Sequence, residues 1–231
     1  MLVGVSRLLV LSALGALWAF GGSAAEAGDF HPCVPDASWA ARPKLSALPG
    51  GSHGLTPDEL GWIVYDSNQG VCWLADANLA GQPEVRAAVP LSPLNPDGSL
   101  PVINPDGTMD WETAPNWVNA LNSYDNGRGW LNHSDWQLPC RDDLQNLYND
   151  IPITTGDIRL EWPFGVGPFW HQQPGFYWAC VRGDGAASNG PCDLNQSAAR
   201  GLEWSFDFDD GFEGTDLPNK QFYVMVYFPA Q

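Results

Sequence analysis

Alternation of apolar and polar residues marks the strands of this chain. From residue 202 to 209, Leu, Trp and Phe at even positions alternate with Glu, Ser and Asp at odd positions, the period of a strand with one face on a core and the other in water. From residue 222 to 228 both alternating sets are apolar, which predicts a final strand covered on both faces. A hairpin is expected across residues 210–214, and another joins residues 62–65 to residues 71–74.

A spacing of three and four residues predicts two short helices in the middle of the chain. Thr113 is the expected N-cap of the first helix, and Pro115 lies in its first turn. The second helix follows Pro139, with Asp142 and Asp143 in its first turn, where the helix dipole favours negative charge. The apolar positions that carry this spacing are Trp117, Ala120, Leu121 and Tyr124 in the first helix, and Leu144, Leu147, Tyr148 and Ile151 in the second.

The composition favours short elements joined by many turns. The chain of 231 residues holds 25 Gly, 20 Pro and 12 Trp, which is typical of turn-rich domains with short strands. Residues 95–98 and 104–107 both have the tight-turn sequence Asn-Pro-Asp-Gly. With the hairpins and helices, this predicts a single α+β domain over residues 61–231, in which two short helices pack on twisted antiparallel hairpins.

The N-terminal residues 1–27 have the features of a secretory signal peptide. Arg7 precedes an apolar run that is shorter than the roughly 20 residues of a membrane span. Small residues follow, and cleavage is expected after Ala25 or Ala27. Residues 28–60 are rich in Pro and Gly and predict an extended arm over the domain. The protein is therefore expected to be secreted, periplasmic or extracellular, with no membrane insertion once the signal is removed.

The charge of the chain excludes two classes of partner. The formal net charge is −17, whereas nucleic acids and anionic membrane surfaces are held mainly by Lys and Arg. The acidity instead favours solubility and the attraction of cations.

Five cysteines, at positions 33, 72, 140, 180 and 192, are expected to form disulfides in an oxidising compartment. Their spacing does not decide which pairs form. We expect a Cys180–Cys192 disulfide, because the Gly-rich loop between them would be closed by it. The absence of a Cys-x-x-Cys pair from the sequence argues against a zinc site.

Exposed aromatic residues on loops are the candidate ligand-binding groups. Residues 162–170 form an aromatic segment interrupted by Pro and Gly, and indole rings stack on the apolar faces of sugars. Trp130, Trp162 and Trp170 are therefore candidate glycan-binding residues. The alternative is that all three pack in the core, as most tryptophans do.

Clustered aspartates are the candidate cation ligands. Asp207, Asp209 and Asp210 crowd one predicted hairpin, where a bound cation would relieve their repulsion. Asp97, Asp106 and Asp110 near the two repeated turns are a second calcium candidate, although turn formation alone explains them. No other cofactor is expected.

One motif suggests catalysis. Residues 50–54 match the G-x-S-x-G pattern of serine hydrolases, with Ser52 at the nucleophile position. That motif requires a buried strand before the serine and a helix after it, and the flanking residues predict neither. A flexible Gly-rich loop is the favoured interpretation, and no catalytic residue is expected.

An ordered set of short motifs resembles the Lcl C-terminal-like family, a bacterial extracellular domain named after the end of a collagen-like adhesin. The set begins with Tyr65-Asp66 and the Trp73–Asn78 segment, and ends with Phe176-Tyr177-Trp178 and the residues from Trp204 to Gly211. Its central members are Gly107, Met109, Trp111, Ala114, Trp117, Leu121, Asp135, Trp136, Gln137, Leu138, Pro139 and Leu144. The resemblance runs from about residue 61 to the C-terminus.

The resemblance implies an extracellular binding module, and three departures limit the ligand it implies. The family usually has Arg where Gln137 stands, Thr where Cys140 stands, and a basic end where residues 227–229 stand. These changes argue against a site for anionic ligands at the positions where the family resemblance would place one. The order of helix, Trp-x-Leu-Pro segment and helix is also similar to C-type-lectin-like domains, an analogy of fold that carries no activity.

Two functional classes follow from the sequence. The first is a secreted or surface-associated, non-catalytic binding module for glycan or an extracellular protein. The second is a secreted hydrolase that uses Ser52 or a pair of carboxylates, which would need a defined separation and a raised pKa on one carboxyl group.

Overall fold

The computed structural model describes residues 33, 55–57, 62–151, 169–182, 192–193 and 201–230. The predicted signal peptide, the G-x-S-x-G motif with Ser52, and Trp162 lie outside the described residues. Most of the predicted arm over residues 28–60 also lies outside them.

Four antiparallel strands form the first sheet, in the order β1 (Leu55–Pro57), β2 (Ile63–Asp66), β3 (Val71–Leu74) and β9 (Tyr227–Pro229). The predicted hairpin of β2 and β3 is confirmed, with Ile63 opposite Leu74 and Asp66 opposite Val71. Strand β1 lies within the predicted arm and pairs with β2 at the edge of the sheet. That segment is therefore a strand of the first sheet, where the sequence predicted an extended arm over the domain.

The second sheet has three antiparallel strands, β4 (Phe176–Ala179), β7 (Glu203–Asp207) and β8 (Phe212–Asp216), with β7 in the centre. The predicted hairpin between β7 and β8 is confirmed, although its turn ends at Gly211 and residues 212–214 belong to β8. A short pair, β5 (Val181–Arg182) and β6 (Cys192–Asp193), follows β4.

The prediction that one face of β7 is exposed to solvent is wrong at two positions. Glu203 and Ser205 were expected in water, yet Glu203 is 7 % exposed and Ser205 is fully buried. Trp204 and Leu202, expected on the core side, are only half-buried. Alternation of apolar and polar residues along a strand shows that its two faces differ in polarity. Tertiary packing decides whether the polar face is also covered. Strand β7 is central in its sheet, and it is covered on both faces along much of its length.

Three α-helices lie within the described residues: α1 (Pro83–Ala88), α2 (Thr113–Gly127) and α3 (Arg141–Asp150). The sequence predicted α2 and α3, and both are confirmed. Helix α1 was missed because it is short and contains no buried residue, so it lacks the apolar period that predicts a helix.

Thr113 is the first residue of α2 and does not cap it, contrary to the sequence prediction. Its backbone N–H donates to Asp110 Oδ1 over 2.9 Å, so Asp110 satisfies one of the free N–H groups of the first turn. The Thr113 hydroxyl is fully buried and accepts from Asn95 Nδ2 at 3.1 Å. Thr113 therefore anchors the preceding loop to the helix. At the other end, Tyr124, Asp125 and Asn126 leave helical backbone geometry.

The first sheet is buried on both faces, and each face supports one helix. Successive residues of β2 and β3 alternate between two apolar clusters, with Ile63 in one and Val64 in the other. The first cluster contains Trp117 and Leu121 of α2, and the second contains Leu144 of α3, with Leu147 of the same helix. In the predicted final strand, residues 224–228 are buried at every position, as expected, but residues 222 and 223 are only half-buried. The regular strand is also shorter than predicted, since β9 begins at residue 227.

The two Asn-Pro-Asp-Gly segments are turns, as predicted, and they repeat the same hydrogen bonds. Asp97 Oδ1 accepts from the Ser99 N–H at 2.9 Å, and Asp106 Oδ1 accepts from the Thr108 N–H at 3.0 Å. Gly107 has a φ of +92°, and an added Cβ there would lie 2.6 Å from the Gly81 nitrogen. Only glycine fits at this close approach between the second turn and the segment before α1.

A disulfide joins Cys33 to Cys72 of β3, with 6.1 Å between the Cα atoms. Cys33 is buried, so at this residue the predicted surface arm enters the core. Cys140 and Cys180 are also disulfide-bonded. Because Cys33 and Cys72 are bonded to each other, Cys140 and Cys180 can be bonded within the chain only to each other, and a backbone bridge already places residues 140 and 180 side by side. The predicted Cys180–Cys192 disulfide is therefore wrong, because tertiary packing, which the length of the loop between two cysteines does not report, pairs Cys180 with Cys140.

The architecture is a mixed α+β fold of short helices and antiparallel sheets, as the sequence predicted. Across the described residues, no helix has the length and apolar character needed to cross a bilayer.

Candidate functional site

Two exposed tryptophans meet on the surface of the domain. Trp62 is 39 % exposed and Trp170 is 45 % exposed. Their ring centroids lie 6.3 Å apart, and the ring planes are inclined by 57°. We call this pair the aromatic wedge. Large apolar side chains that touch each other in solvent are typical of binding surfaces.

Backbone hydrogen bonds from one short segment fix both members of the aromatic wedge. The Ala75 N–H donates to the Trp62 carbonyl over 2.9 Å, and the Trp170 N–H donates to the Ala75 carbonyl over 2.7 Å. The Ala77 N–H donates to the Trp170 carbonyl over 2.9 Å. The segment after β3 therefore holds two residues that are far apart in sequence. Because Ala75 and Ala77 are buried, the support under the two rings is rigid.

Three polar side chains lie on or against the segment that carries Trp170: Asp76, which pairs with Trp170 in an isolated β-bridge, His171 and Gln82. His171 follows Trp170 directly and has a left-handed backbone with a φ of +51°. Its Nδ1 atom lies 3.0 Å from Asp76 Oδ2 and 3.0 Å from Gln82 Nε2. A protonated Nδ1 donates to the carboxylate, and an unprotonated Nδ1 accepts from the amide. The His171 side chain is about half exposed, at 53 %.

The Asp76 carboxyl group is set largely below the surface. Its side chain is 13 % exposed, and burial raises its pKa because the charged form loses hydration. The hydrogen bond and charge of His171 oppose that rise in pKa. Asp76 Oδ1 accepts from the Asn78 N–H over 3.0 Å. The arrangement gives the aromatic wedge hydrogen-bond donors and acceptors at its edge, which is the composition of a site for a polar ligand with apolar faces.

A buried amide lies next to these residues. Gln172 is 2 % exposed, and within the described part of the chain neither its Nε2 nor its Oε1 atom has a hydrogen-bond partner. Burial of an unpaired amide is unfavourable by about 1–3 kcal/mol. The segment that carries Trp170 and His171 thus also carries a source of instability.

Of the three predicted glycan-binding tryptophans, Trp162 lies outside the described residues, and the other two differ in exposure. Trp170 is on the surface, as the glycan hypothesis requires. Trp130 is half-buried and packs edge-on against Tyr124 with 5.1 Å between centroids. Its carbonyl accepts from Trp136 Nε1 at 3.0 Å. Trp130 therefore packs with α2, and Trp62 is the partner of Trp170.

Sequence reasoning missed Trp62, which it placed at the start of a strand. The signal that could have found it is its position: Trp62 precedes β2 rather than lying inside it. A residue at the end of a strand is free of the strict alternation that buries its neighbours. It also missed Asp76, His171 and Gln82, because their contacts span up to 95 residues of sequence.

Of the predicted cation ligands, Asp207 is the last residue of β7, and Asp209 and Asp210 lie in the turn between β7 and β8. Asp207 Oδ1 accepts from the Asp209 N–H at 2.8 Å, and Asp210 Oδ1 accepts from the Phe212 N–H at 3.0 Å. Over the ranges that the structure describes, no group of three or more His, Cys, Asp or Glu side chains is arranged to hold a metal ion. These carboxylates form the turn, as Asp97 and Asp106 do in theirs.

A second chemical feature is the buried carboxyl group of Glu203 on β7. Burial, with a smaller contribution from the negative charge of Glu112, raises the pKa of Glu203 to about 7. Burial also raises the pKa of Glu112, next to the charges of Asp97 and Asp110. A carboxyl group that titrates near neutral pH beside a second carboxylate has the composition of an acid–base pair.

Two other buried carboxylates, those of Asp66 and Asp143, stabilise the fold. The Asp66 carboxylate is fully buried and accepts from the Gln69 side chain at 2.7 Å and from Trp73 Nε1 at 3.3 Å. Asp143 at the start of α3 forms an ion pair with Arg182 and accepts from the Cys140 N–H at 2.9 Å. These contacts hold a hairpin loop and a strand against the helix.

The fold is that of a small α+β domain with two exposed tryptophans in contact on its surface. The family model of the Lcl C-terminal domain matches residues 62–226, and the chain belongs to this family. No curated protein matches the chain. The family and the Cys33–Cys72 disulfide are both consistent with an extracellular location.

Proposed function

We propose that this protein is a secreted or surface-associated, non-catalytic binding module whose aromatic wedge binds glycan. The observation that carries the proposal is the contact between Trp62 and Trp170, both exposed, beside a row of polar side chains. A sugar ring has apolar faces lined by C–H groups and a rim of hydroxyls. The indole rings match the faces, and Asp76, His171 and Gln82 match the rim.

The rigid backbone around the aromatic wedge supports a recognition role. Backbone hydrogen bonds hold Trp62 and Trp170 on the segment that follows β3, so little order is lost when a ligand binds. Preorganised aromatic side chains give affinity at low entropic cost. An extracellular protein partner would use the same exposed rings, and the experiment below separates the two ligands.

The test is a glycan-array screen followed by calorimetric titration of the best oligosaccharide. We expect Trp170→Ala and Trp62→Ala each to weaken binding at least tenfold, which corresponds to about 1.4 kcal/mol. Phe212→Ala is the matched control, because Phe212 is an exposed aromatic residue on β8, at 59 %. Glycan binding that survives both tryptophan variants would refute the proposal, and binding of proteins but no glycan would assign the surface to a protein partner.

A secreted hydrolase is the second candidate, favoured by the raised pKa of Glu203. In this function Glu203 is the general acid and Glu112 the partner carboxylate, while Ser52 lies outside the described residues. A panel of fluorogenic glycosides and esters decides between the two functions. Turnover that is abolished by Glu203→Gln or Ser52→Ala would establish the hydrolase. We expect no turnover.

Calcium remains a candidate ligand at Asp207, Asp209 and Asp210, since a cation would offset their mutual repulsion. Glycan binding that is unchanged in EDTA would exclude a calcium-dependent module. We also propose that the helices and hairpins have a C-type-lectin-like arrangement, which an experimental structure compared with that architecture would test.

A further inference from the structure

We propose that the aromatic wedge selects glycans that carry positively charged amino groups, such as polymers of glucosamine, over neutral or sulfated glycans. This inference rests on the proposed function and names the chemical class of its ligand. The juxtaposition of two exposed indole rings with the Asp76 carboxylate is the feature that carries it.

The first step is the geometry of the two rings. The face of an indole ring attracts a cation within about 6 Å of its centroid, and the attraction is strongest for Trp. The centroids of Trp62 and Trp170 are 6.3 Å apart, so a cation at the mouth of the aromatic wedge lies within reach of both rings. A sugar with an amino group can place its ring on one indole and its charge between the two.

The second step is the charge beside the rings. Asp76 is the carboxylate at this site, and within the described residues its ion pair is with His171. A carboxylate has about four acceptor positions. Asp76 accepts from the Asn78 N–H and contacts His171 Nδ1, and its negative charge also attracts a cation that donates no hydrogen bond. Its limited exposure strengthens attraction to a cation, because nearby water screens the charge less.

The third step is the charge of the whole chain. A formal net charge of −17 attracts polycations and repels sulfated or carboxylated polymers at long range. Neutral glycans gain nothing from this field. The local and global charges therefore favour the same class of ligand, whereas the apolar rings alone would not discriminate.

The experiment compares hexamers of one sugar backbone that differ in the substituent, and so in the charge, of the amino group. Calorimetric titrations at neutral pH use N-acetylated, N-trimethylated and N-sulfated glucosamine hexamers, which are neutral, positively charged and negatively charged respectively. We expect the trimethylated hexamer to bind at least tenfold more tightly than the N-acetylated one, and the sulfated hexamer not to bind.

Two variants assign the charge effect to the site. Asp76→Asn should remove most of the preference for the trimethylated hexamer. Asp125→Asn is the matched control, because Asp125 is an exposed carboxylate, paired with Arg128 at the end of α2, and its loss changes the net charge equally. Circular dichroism and thermal unfolding of both variants confirm that they fold.

Each outcome separates the inference from the proposed function. If the N-acetylated hexamer binds as tightly as the trimethylated one and Trp170→Ala abolishes both, the charge preference is wrong and glycan binding stands. Binding of the trimethylated hexamer that survives Trp170→Ala and disappears in high salt would show unspecific attraction to an acidic protein, and would overturn the inference. Absence of binding by all three hexamers would also overturn it, and the glycan array would then decide the proposed function.

Discussion

The tryptophans inside the domain differ from those of the aromatic wedge in what surrounds the indole ring. Trp178 is fully buried and donates from Nε1 to the Met109 carbonyl at 2.7 Å. Trp136 is buried in the same way and donates to the Trp130 carbonyl. Trp62 and Trp170 instead leave much of their ring surface in water. One residue type thus stabilises the core where its ring is buried, and remains partly in solvent at the aromatic wedge, which we propose as a recognition surface.

The largest expected effect is the loss of stability when a buried tryptophan is replaced. Trp178→Ala should lower the free energy of unfolding by about 3–5 kcal/mol, because it leaves a large cavity and removes one of the two hydrogen bonds that the Met109 carbonyl accepts. Urea denaturation followed by fluorescence measures the change. Trp170→Ala, on the surface, is the matched comparison. Similar losses in the two variants would contradict the division between core and surface tryptophans.

The second prediction tests whether β7 is buried on its polar face. The pKa of Glu203 is raised from 4.5 to about 7 in the folded protein, so the folded state holds its proton more tightly than the unfolded state. Stability from this group is full below the unfolded pKa and is lost as the pH rises through about 7. One unit of pKa corresponds to about 1.4 kcal/mol.

Glu203→Gln should therefore raise the free energy of unfolding at pH values above the folded pKa by about 1–3 kcal/mol and flatten its pH dependence. Denaturation at a series of pH values measures it, with Glu213→Gln on β8 as the control. A wild-type stability that does not fall across this range would show that Glu203 is hydrated like an exposed residue.

The third prediction concerns the segment beneath the aromatic wedge. Gln172→Met removes an unpaired buried amide and keeps a side chain of similar length, so thermal unfolding should show a gain of about 1 kcal/mol. Gln173→Met is the control, because the Gln173 side chain donates to the His171 carbonyl at 2.9 Å. A loss of stability in Gln172→Met would mean that an ordered water or ligand satisfies the amide.

The smallest expected effect is on stability at the aromatic wedge itself. Trp62→Ala and Trp170→Ala should change the free energy of unfolding by less than about 1 kcal/mol, as exposed positions usually do, while their effect on ligand binding is large. Calorimetric unfolding measures the first quantity. A loss above about 2 kcal/mol in either variant would mean that the pair is part of the core.

The sequence by itself determined the local elements of this protein. The three-and-four spacing around Trp117 and Leu144 was enough to predict α2 and α3, because such a spacing leaves one face of a helix to be buried. The β2–β3 hairpin and the two Asn-Pro-Asp-Gly turns followed from local backbone preferences in the same way. The family resemblance was likewise carried by short motifs in a fixed order, and the family match over residues 62–226 confirmed it.

Tertiary structure alone decided which side chains are covered and which meet. Glu203 occupies a position that the alternation assigns to solvent, yet it is buried, because parts of the chain that pack on that face of the sheet are not specified by the sequence of the strand itself. Trp62 and Trp170 have no sequence relationship, yet Ala75 brings them together through backbone hydrogen bonds. Periodicity is a property of neighbours along the chain, whereas burial and contact depend on elements that pack from far away in sequence. For that reason the helices and hairpins could be predicted here, and the candidate site could not.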